Sequence, residues 1–305
     1  MLVTLASVLK KAQAHGYAVG AFNVNNLETA QAIIQAACEV SAPVIMQTSE
    51  GAIEYAGMDY LSAIIRIAAK SSIPVVLHLD HGKNLDIIRH ALRSGYTSVM
   101  YDGSHLSFED NVHRTRQVVQ WARQYGSSVE AELGRIPGKE DLVTVKRREL
   151  LYTDPESARE FVQKTGCAAL AVSIGTAHGP VKSRTKVCLD YALLKRIRAV
   201  VAVPLVLHGA SSVRSAIIRT IEQYGGAVPH AQGVSDQAIK RAVLLGICKV
   251  NTDTDLRLAA TSAIRKALAL HPEEIDMRGY IGVARDVMKH EVMRKIRLLG
   301  SADKA

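Results

Sequence analysis

Short runs of branched aliphatic residues alternate along the whole chain with longer segments whose apolar residues recur every three to four positions. The runs predict strands over Ala18–Asn23, Pro43–Gln47, Pro74–Asp80, Ser98–Asp102, Ser128–Leu133, Ala168–Ile174, Pro204–His208 and Ile247–Asn251. The periodic segments predict helices over Leu5–Ala14, Asn26–Val40, Tyr60–Ala69, Leu85–Ser94, Phe108–Tyr125, Pro155–Thr165, Tyr191–Val200, Ser212–Tyr224 and Ser235–Leu245. Asp154-Pro155 reads as a cap followed by proline at the first helical position. Gly95 and Gly166 follow helical patterns, where helix-ending glycines belong. Eight strand–helix units predict an α/β fold, a closed parallel (β/α)8 barrel. The alternative is an open doubly wound sheet, but no Gly-x-Gly-x-x-Gly follows the first strand.

Beyond the eighth strand, Leu256–Ala269 predicts the last barrel helix and His271–Gly282 a link containing Pro272. Val283–Leu299 predicts an extra basic, amphipathic helix, packed either on the barrel wall or on a partner subunit. The chain therefore reads as one barrel domain over 1–305 with a C-terminal helical extension from about 271. Gly134–Tyr152 and Gly175–Lys186 carry glycine and charge with little periodicity. Both follow strands on the face that carries chemistry in barrels, and so read as lids.

Composition narrows the class. Aromatic residues are 5% against 48% hydrophobic overall, so the core must be Val, Ile, Leu and Ala, as suits a parallel sheet buried on both faces. The net charge of +9 favours anionic partners. The basic residues are scattered, with no long basic tail and no basic patch interleaved with aromatics. That points to a small phosphorylated substrate and away from nucleic acid. The cysteines, Cys38, Cys167, Cys188 and Cys248, form no Cys-x-x-Cys pair and read as reduced thiols. The apolar start precedes Lys10-Lys11, the reverse of a signal peptide's order, and no apolar run reaches membrane-spanning length. A cytoplasmic protein with no membrane partner is expected.

The strand ends carry the candidate chemistry. In chain order they give Asn23, Ser49, Asp80-His81, Asp102, Glu132, His178, His208 and Asn251-Thr-Asp253. Any one polar residue there is an ordinary turn or cap. Three histidines at strand exits, His81, His178 and His208, each followed by glycine, match a three-ligand catalytic metal site with Asp80 beside it as acid or base. His15-Gly16 shares the dipeptide but precedes the first strand, at the wrong end of a barrel. His78 lies inside its strand, as support for the site or as a core histidine. Gly179, the Gly209-Ala-Ser211-Ser212 segment opening a helix, and Asn251-Thr-Asp253-Thr254 opening the last barrel helix read as phosphate seats. Arg257 follows one turn on.

With these segments in view, the chain resembles the class II, metal-dependent ketose-bisphosphate aldolases. The matching segments are Gly-Ala-Phe-Asn23-Val-Asn-Asn, His78-Leu-Asp80-His81-Gly, Glu130-Ala-Glu132-Leu-Gly, Gly175-Thr-Ala-His178-Gly, Leu207-His208-Gly-Ala-Ser211 and Val250-Asn251-Thr-Asp253-Thr-Asp255. They run from residue 20 to residue 255 in the family's order. In the tail, Met277-Arg278-Gly-Tyr stands where the family has Asp-Pro-Arg-aromatic, with Met in place of Pro.

The resemblance implies a (β/α)8 barrel assembled as a homodimer or homotetramer. It implies catalytic zinc, replaceable by cobalt, on His81, His178 and His208, with Asp80 as general acid/base. It places a second metal position at Asp102 and Glu132 and a loop glutamate that handles the carbon proton at Glu140, although the loop departs from the family's Gly-Gly pair. Phosphate would sit on Gly179, Gly209, Ser211, Asp253 and Thr254, and Asn251 would contact the carbon chain. Asn23 and Ser49 would contact the other half, Arg257 the distal phosphate, and Arg278 would come from a neighbouring subunit. A monovalent cation (K+, Na+ or NH4+) would sit near the backbone of Ala177, Gly179 and Gly209.

The implied reaction is reversible cleavage of fructose 1,6-bisphosphate to dihydroxyacetone phosphate and glyceraldehyde 3-phosphate, with the C4 epimer tagatose 1,6-bisphosphate as the alternative. Two other readings compete. A Schiff-base aldolase would use Lys249 on the last strand. A non-catalytic anion-binding barrel would keep the glycine loops but would not need Asp80 beside a metal ligand.

Overall fold

In the computed structural model, residues 1–140, 143–145, 151–177, 188–229 and 231–305 are described, with only the backbone path for 138–140 and 143–145. In chain order the elements are α1 (Leu5–His15), β1 (Val19–Asn23), α2 (Leu27–Glu39), β2 (Val44–Ser49), α3 (Glu50–Ala56), α4 (Met58–Ala68), β3 (Val75–Gly82), α5 (Leu85–Arg93), β4 (Ser98–Tyr101), α6 (Phe108–Gln124) and β5 (Ser128–Leu133). Then follow β6 (Gly138–Glu140), β7 (Val143–Val145), α7 (Pro155–Thr165), β8 (Ala169–Val172), α8 (Tyr191–Val200), β9 (Leu205–Leu207), α9 (Ser215–Gln223), α10 (Asp236–Leu244), β10 (Ile247–Thr252), α11 (Thr254–Leu270) and α12 (Met277–Leu299).

Eight of the strands close in the order β1-β10-β9-β8-β5-β4-β3-β2, all parallel, so the barrel is a (β/α)8 barrel and the open sheet is excluded. Right-handed crossover through a helix after each strand is what makes the strands parallel. Inside the barrel, alternate strand residues point inward. The lower interior layer is apolar: Val19, Ala21, Ile45, Val76, Met100, Ala169, Ala171, Val206 and Cys248 cluster there with Leu5, Val8, Leu9 and Ala12 of α1. Thus α1 plugs the N-terminal mouth. Two residues further along four of the same strands stand Asn23, Gln47, His78 and His208, and on the last strand Asn251 stands three beyond Cys248; all five are buried. The upper layer of the same barrel is therefore polar.

Two predicted boundaries differ for local reasons. The helix expected from Ser212 begins at Ser215, because the N–H groups of Ser212 and Val213 are bound to the Asp255 carboxylate and Val213 has φ +49°. The link expected over His271–Gly282 is shorter, because Asp276 caps α12 by accepting the N–H of Arg278, so Gly279 and Gly282 are helical. The α12 helix covers the barrel wall against α2 and α11, with Val292, Ile296 and Leu299 buried. The Gly134–Tyr152 segment holds the antiparallel β6–β7 pair, with Glu140 opposite Val143. Most of Gly175–Lys186 lies outside the described residues.

Candidate active site

Asp80 and His81 are adjacent on β3, and neighbouring strand residues normally face opposite sides. Here the β3–β4 register shifts between Leu79 and Gly82, and His81 takes φ +47°. That bulge turns His81 into the mouth beside Asp80. A left-handed histidine costs about 1–3 kcal/mol, which the surrounding contacts must offset.

The His81 ring is held by Asp102, whose Oδ2 lies 3.1 Å from Nδ1. Asp102 Oδ1 accepts the Ser104 N–H at 3.1 Å and its hydroxyl at 2.7 Å, and Lys83 Nζ lies 3.4 Å from Oδ2. Burial pushes the Asp102 carboxyl upward. The His81 and Ser104 hydrogen bonds and the His81 and Lys83 charges outweigh it and hold the group well below the usual carboxylate range. His208, at the end of β9, has Nε2 2.8 Å from Glu130 Oε1. Its remaining nitrogen, Nδ1, lies 2.7 Å from His81 Nε2. Burial and the neighbouring His81 hold the His208 imidazole below its ordinary value, in the neutral form that ligates metals.

Asp102 can accept from His81 Nδ1 and Glu130 from His208 Nε2, and with both rings neutral in those tautomers the two facing nitrogens are the ones turned to a metal. The 2.7 Å approach of the two nitrogens is a hydrogen bond when one ring carries the shared proton, and a divalent ion can take that proton's place. Ligand atoms of Asp80, His81 and His208 lie within 4.8 Å of one another, as do those of His81, Asp102 and Glu132. The donor set therefore fits a divalent metal of the imidazole-preferring kind. His178 and Gly179 lie outside the described residues.

Asp80 is fixed by two amides. Gln47 Nε2 donates to its Oδ2 at 2.8 Å, and Asn251 Nδ2 donates to its Oδ1 at 3.0 Å. Gln47 Nε2 also donates to Asn23 Oδ1 at 2.8 Å, so β1, β2, β3 and β10 share one polar chain. Asn251 Oδ1 is buried without a hydrogen-bond partner among the described residues.

Beneath this layer, Glu130 Oε2 is 2.8 Å from Lys249 Nζ, both side chains wholly buried, and His78 Nε2 lies 3.5 Å away. Burial drives the Glu130 carboxyl upward, and the Lys249 charge with the His208 hydrogen bond reverses this and carries it below the usual range. Lys249 is thus engaged as the partner of Glu130, which removes the basis for a Schiff-base lysine. His78 donates to or accepts from Ser98 Oγ at 2.9 Å and sits among these groups as support for the site. Burial and the Lys249 charge hold it well below its ordinary value.

Other expected residues have more modest settings. Ser49 caps α3, accepting the Ala52 N–H at 3.2 Å. Arg257 pairs with Asp253 one turn earlier, Nη2 to Oδ2 at 2.8 Å. Thr254 opens α11, and Ser211 is buried. Gly209 has φ +60°, and a Cβ there would lie 2.6 Å from Ala177 O, so only glycine allows this approach. Arg278 is 89% exposed on its own chain and pairs with Asp276. Glu140 is placed on β6, and its side chain is outside the described residues.

Gln47 and Glu130 were not among the predicted site residues. Both were findable from strand periodicity: Gln47 stands two residues before Ser49, and Glu130 two before Glu132.

The family described as "Fructose-bisphosphate aldolase class-II" matches residues 3–304. A fructose-bisphosphate aldolase of Thermus caldophilus is 46% identical over all of both chains. One of Giardia intestinalis is 42% identical over all of this chain and 94% of its own. Among solved structures, the YdjI aldolase of Escherichia coli K12 superposes with a TM-score of 0.80 at 33% identity, covering all of both chains. A match over nearly every residue, on a barrel whose mouth holds this histidine–carboxylate set, places the chain in the class II fructose-bisphosphate aldolase family.

Proposed function

We propose that this aldolase cleaves fructose 1,6-bisphosphate reversibly to dihydroxyacetone phosphate and glyceraldehyde 3-phosphate, using zinc held by His81, His178 and His208. The observation that carries the reading is the 2.7 Å approach of His81 Nε2 and His208 Nδ1 beside the doubly anchored Asp80. Zinc, when bound there, supplies Lewis-acid stabilisation of the charge that carbon–carbon cleavage leaves on the departing three-carbon half.

Asp80 takes the proton of the C4 hydroxyl, and C4 becomes the aldehyde carbon as the C3–C4 bond breaks. The bonding pair stays with C3, to which Glu140 delivers a proton. Gln47 and Asn251 keep Asp80 aimed, and Asn251 Oδ1, buried without a described partner, is placed to accept a substrate hydroxyl. Gly179, Gly209, Ser211, Asp253 and Thr254 would seat the phosphate of the three-carbon half, Asn23 and Ser49 would contact the other half, and Arg257 and a neighbouring subunit's Arg278 would take the distal phosphate. Asp102 and Glu132 would form a second metal position with His81. The close backbone approach of Ala177 and Gly209 suits a monovalent cation. Fructose is preferred to tagatose because the relatives at 46% and 42% identity are named for fructose bisphosphate. Among the described residues no helix is long and apolar enough to cross a membrane, in keeping with a cytoplasmic setting.

The test is a coupled assay with both bisphosphates, before and after chelation. Zinc-restorable cleavage of fructose 1,6-bisphosphate at the higher kcat/KM supports the reading. Faster turnover of the tagatose sugar, or cleavage without metal, overturns it.

A further inference from the structure

The turn that leaves β9 directly after His208 is held from behind by a buried charge pair that the aldol chemistry does not use. Asp255, in the first turn of α11, is 1% exposed, and its two oxygens bind consecutive amides. The Ser212 N–H donates to Oδ2 at 2.9 Å and the Val213 N–H to Oδ1 at 2.8 Å. Lys295 of α12 is wholly buried, with Nζ 3.0 Å from Asp255 Oδ2 and donating to Ser212 Oγ at 2.8 Å. Ser212 Oγ donates onward to Asp236 Oδ1 at 2.7 Å, at the start of α10.

The turn's own residues do not favour its shape. Val213, a β-branched residue, has φ +49°. The neighbouring strand of loop is so close that a Cβ on Gly233 would lie 2.2 Å from Ser212 O. Tertiary contacts must therefore impose the conformation, and charge-assisted bonds from two successive amides to one carboxylate are suited to it. An apolar pair would cover the wall as well, because a buried ion pair is weak evidence for stability. What the pair adds is a fixed position for two backbone groups.

We infer that Asp255 and Lys295 are a positioning pair for the substrate's phosphate, shaping the Gly209–Val213 turn without touching substrate. This rests on the reading above that the turn seats the phosphate of the three-carbon half.

The test compares the wild type with Gly209→Ala, Lys295→Met and the double variant Asp255→Asn/Lys295→Met. Kinetics with fructose 1,6-bisphosphate are measured alongside competition by inorganic phosphate, bound zinc and Tm. Lys295→Met strands a buried carboxylate and should lower Tm. The double variant removes both charges and should regain Tm, yet the asparagine NH2 cannot accept the second amide. Both should raise KM and the phosphate inhibition constant by roughly tenfold or more, with kcat within about threefold and zinc content unchanged.

Wild-type KM and phosphate inhibition in the folded double variant overturn the inference, as does a loss that tracks zinc content. Gly209→Ala displaces the turn directly. If it raises KM while the double variant does not, only the role of the pair falls. If Gly209→Ala also leaves both constants unchanged, the turn is not the phosphate seat and both readings fall.

Discussion

Nε2 of His81 and Nδ1 of His208 meet at 2.7 Å although 127 residues separate them, because β3 and β9 deliver both rings to one mouth of the barrel. Each ring's outer nitrogen is fastened to a carboxylate, Asp102 for one and Glu130 for the other. Metal dependence follows. Chelation is expected to abolish cleavage and zinc or cobalt to restore it, while borohydride with substrate leaves activity intact because Lys249 is engaged by Glu130. Borohydride-trapped product on Lys249 would disprove this.

Glu130 sets the orientation and basicity of His208, so Glu130→Gln should weaken zinc binding by about 10–100-fold. Equilibrium dialysis against labelled zinc measures it, and wild-type affinity would reject the assignment. Lys249→Met leaves Glu130 buried without its partner and should destabilise the fold by about 3–5 kcal/mol. Denaturant unfolding of the variant checks that figure.

Asp80→Ala should lower kcat by roughly a hundredfold or more while zinc stays bound, as expected for a positioned base. Gln47→Leu removes the donor to Asp80 Oδ2 and should lower kcat by about tenfold with little change in KM. An unchanged kcat in the Gln47 variant would mean that Asn251 alone aims the carboxylate.

Arg257 and Arg278 should matter only for the distal phosphate. Each Arg→Ala change is expected to impair cleavage of fructose 1,6-bisphosphate far more than that of fructose 1-phosphate, since a dianion gains from a bidentate guanidinium. Arg278 is 89% exposed on its own chain, so mixing Asp80→Ala chains with Arg278→Ala chains should rebuild active sites in hybrid oligomers. Confirmed hybrids without activity would place Arg278 outside the site.

Acid should weaken the α11–α12 junction through Asp255. Burial pushes this carboxyl upward, and the Lys295 charge and two amides outweigh it, so its folded value lies below the ordinary 3.8. A depressed folded pKa contributes stability that is fully present above the unfolded value and is lost as pH falls from it through the folded value. Tm of the wild type should therefore drop steeply below about pH 4, and Asp255→Asn should start lower and fall less steeply. Parallel curves would show that Asp255 does not contribute to the acid limb.

The barrel was legible in the chain because burial on both faces turns each strand into a short aliphatic run, and each crossover helix keeps its own period. Asn23, Asp80, His208 and Asn251 were legible for a related reason. Chemistry sits where an apolar strand stops, and a polar residue there stands out against it. Gln47 closes its predicted strand and Glu130 stands two residues before Glu132, so periodicity puts each on the inward face of its strand without saying what it meets there. Only closure of the barrel showed that the upper interior is polar and that these two reach Asp80 and His208.

Other features depended on contacts between distant segments. No local signal in Leu-Asp80-His81-Gly announces φ +47° at His81, since that angle comes from the register shift against β4. Ser212 read as a helix start because its own neighbours favour one. Asp255 and Lys295, 43 and 83 residues further on, bound its amide and hydroxyl instead and moved the helix to Ser215. The sequence determined which residues line the strands and their ends. The tertiary structure decided how they face one another, because hydrogen bonds and ion pairs between remote residues override local preference wherever the backbone is buried and must be satisfied.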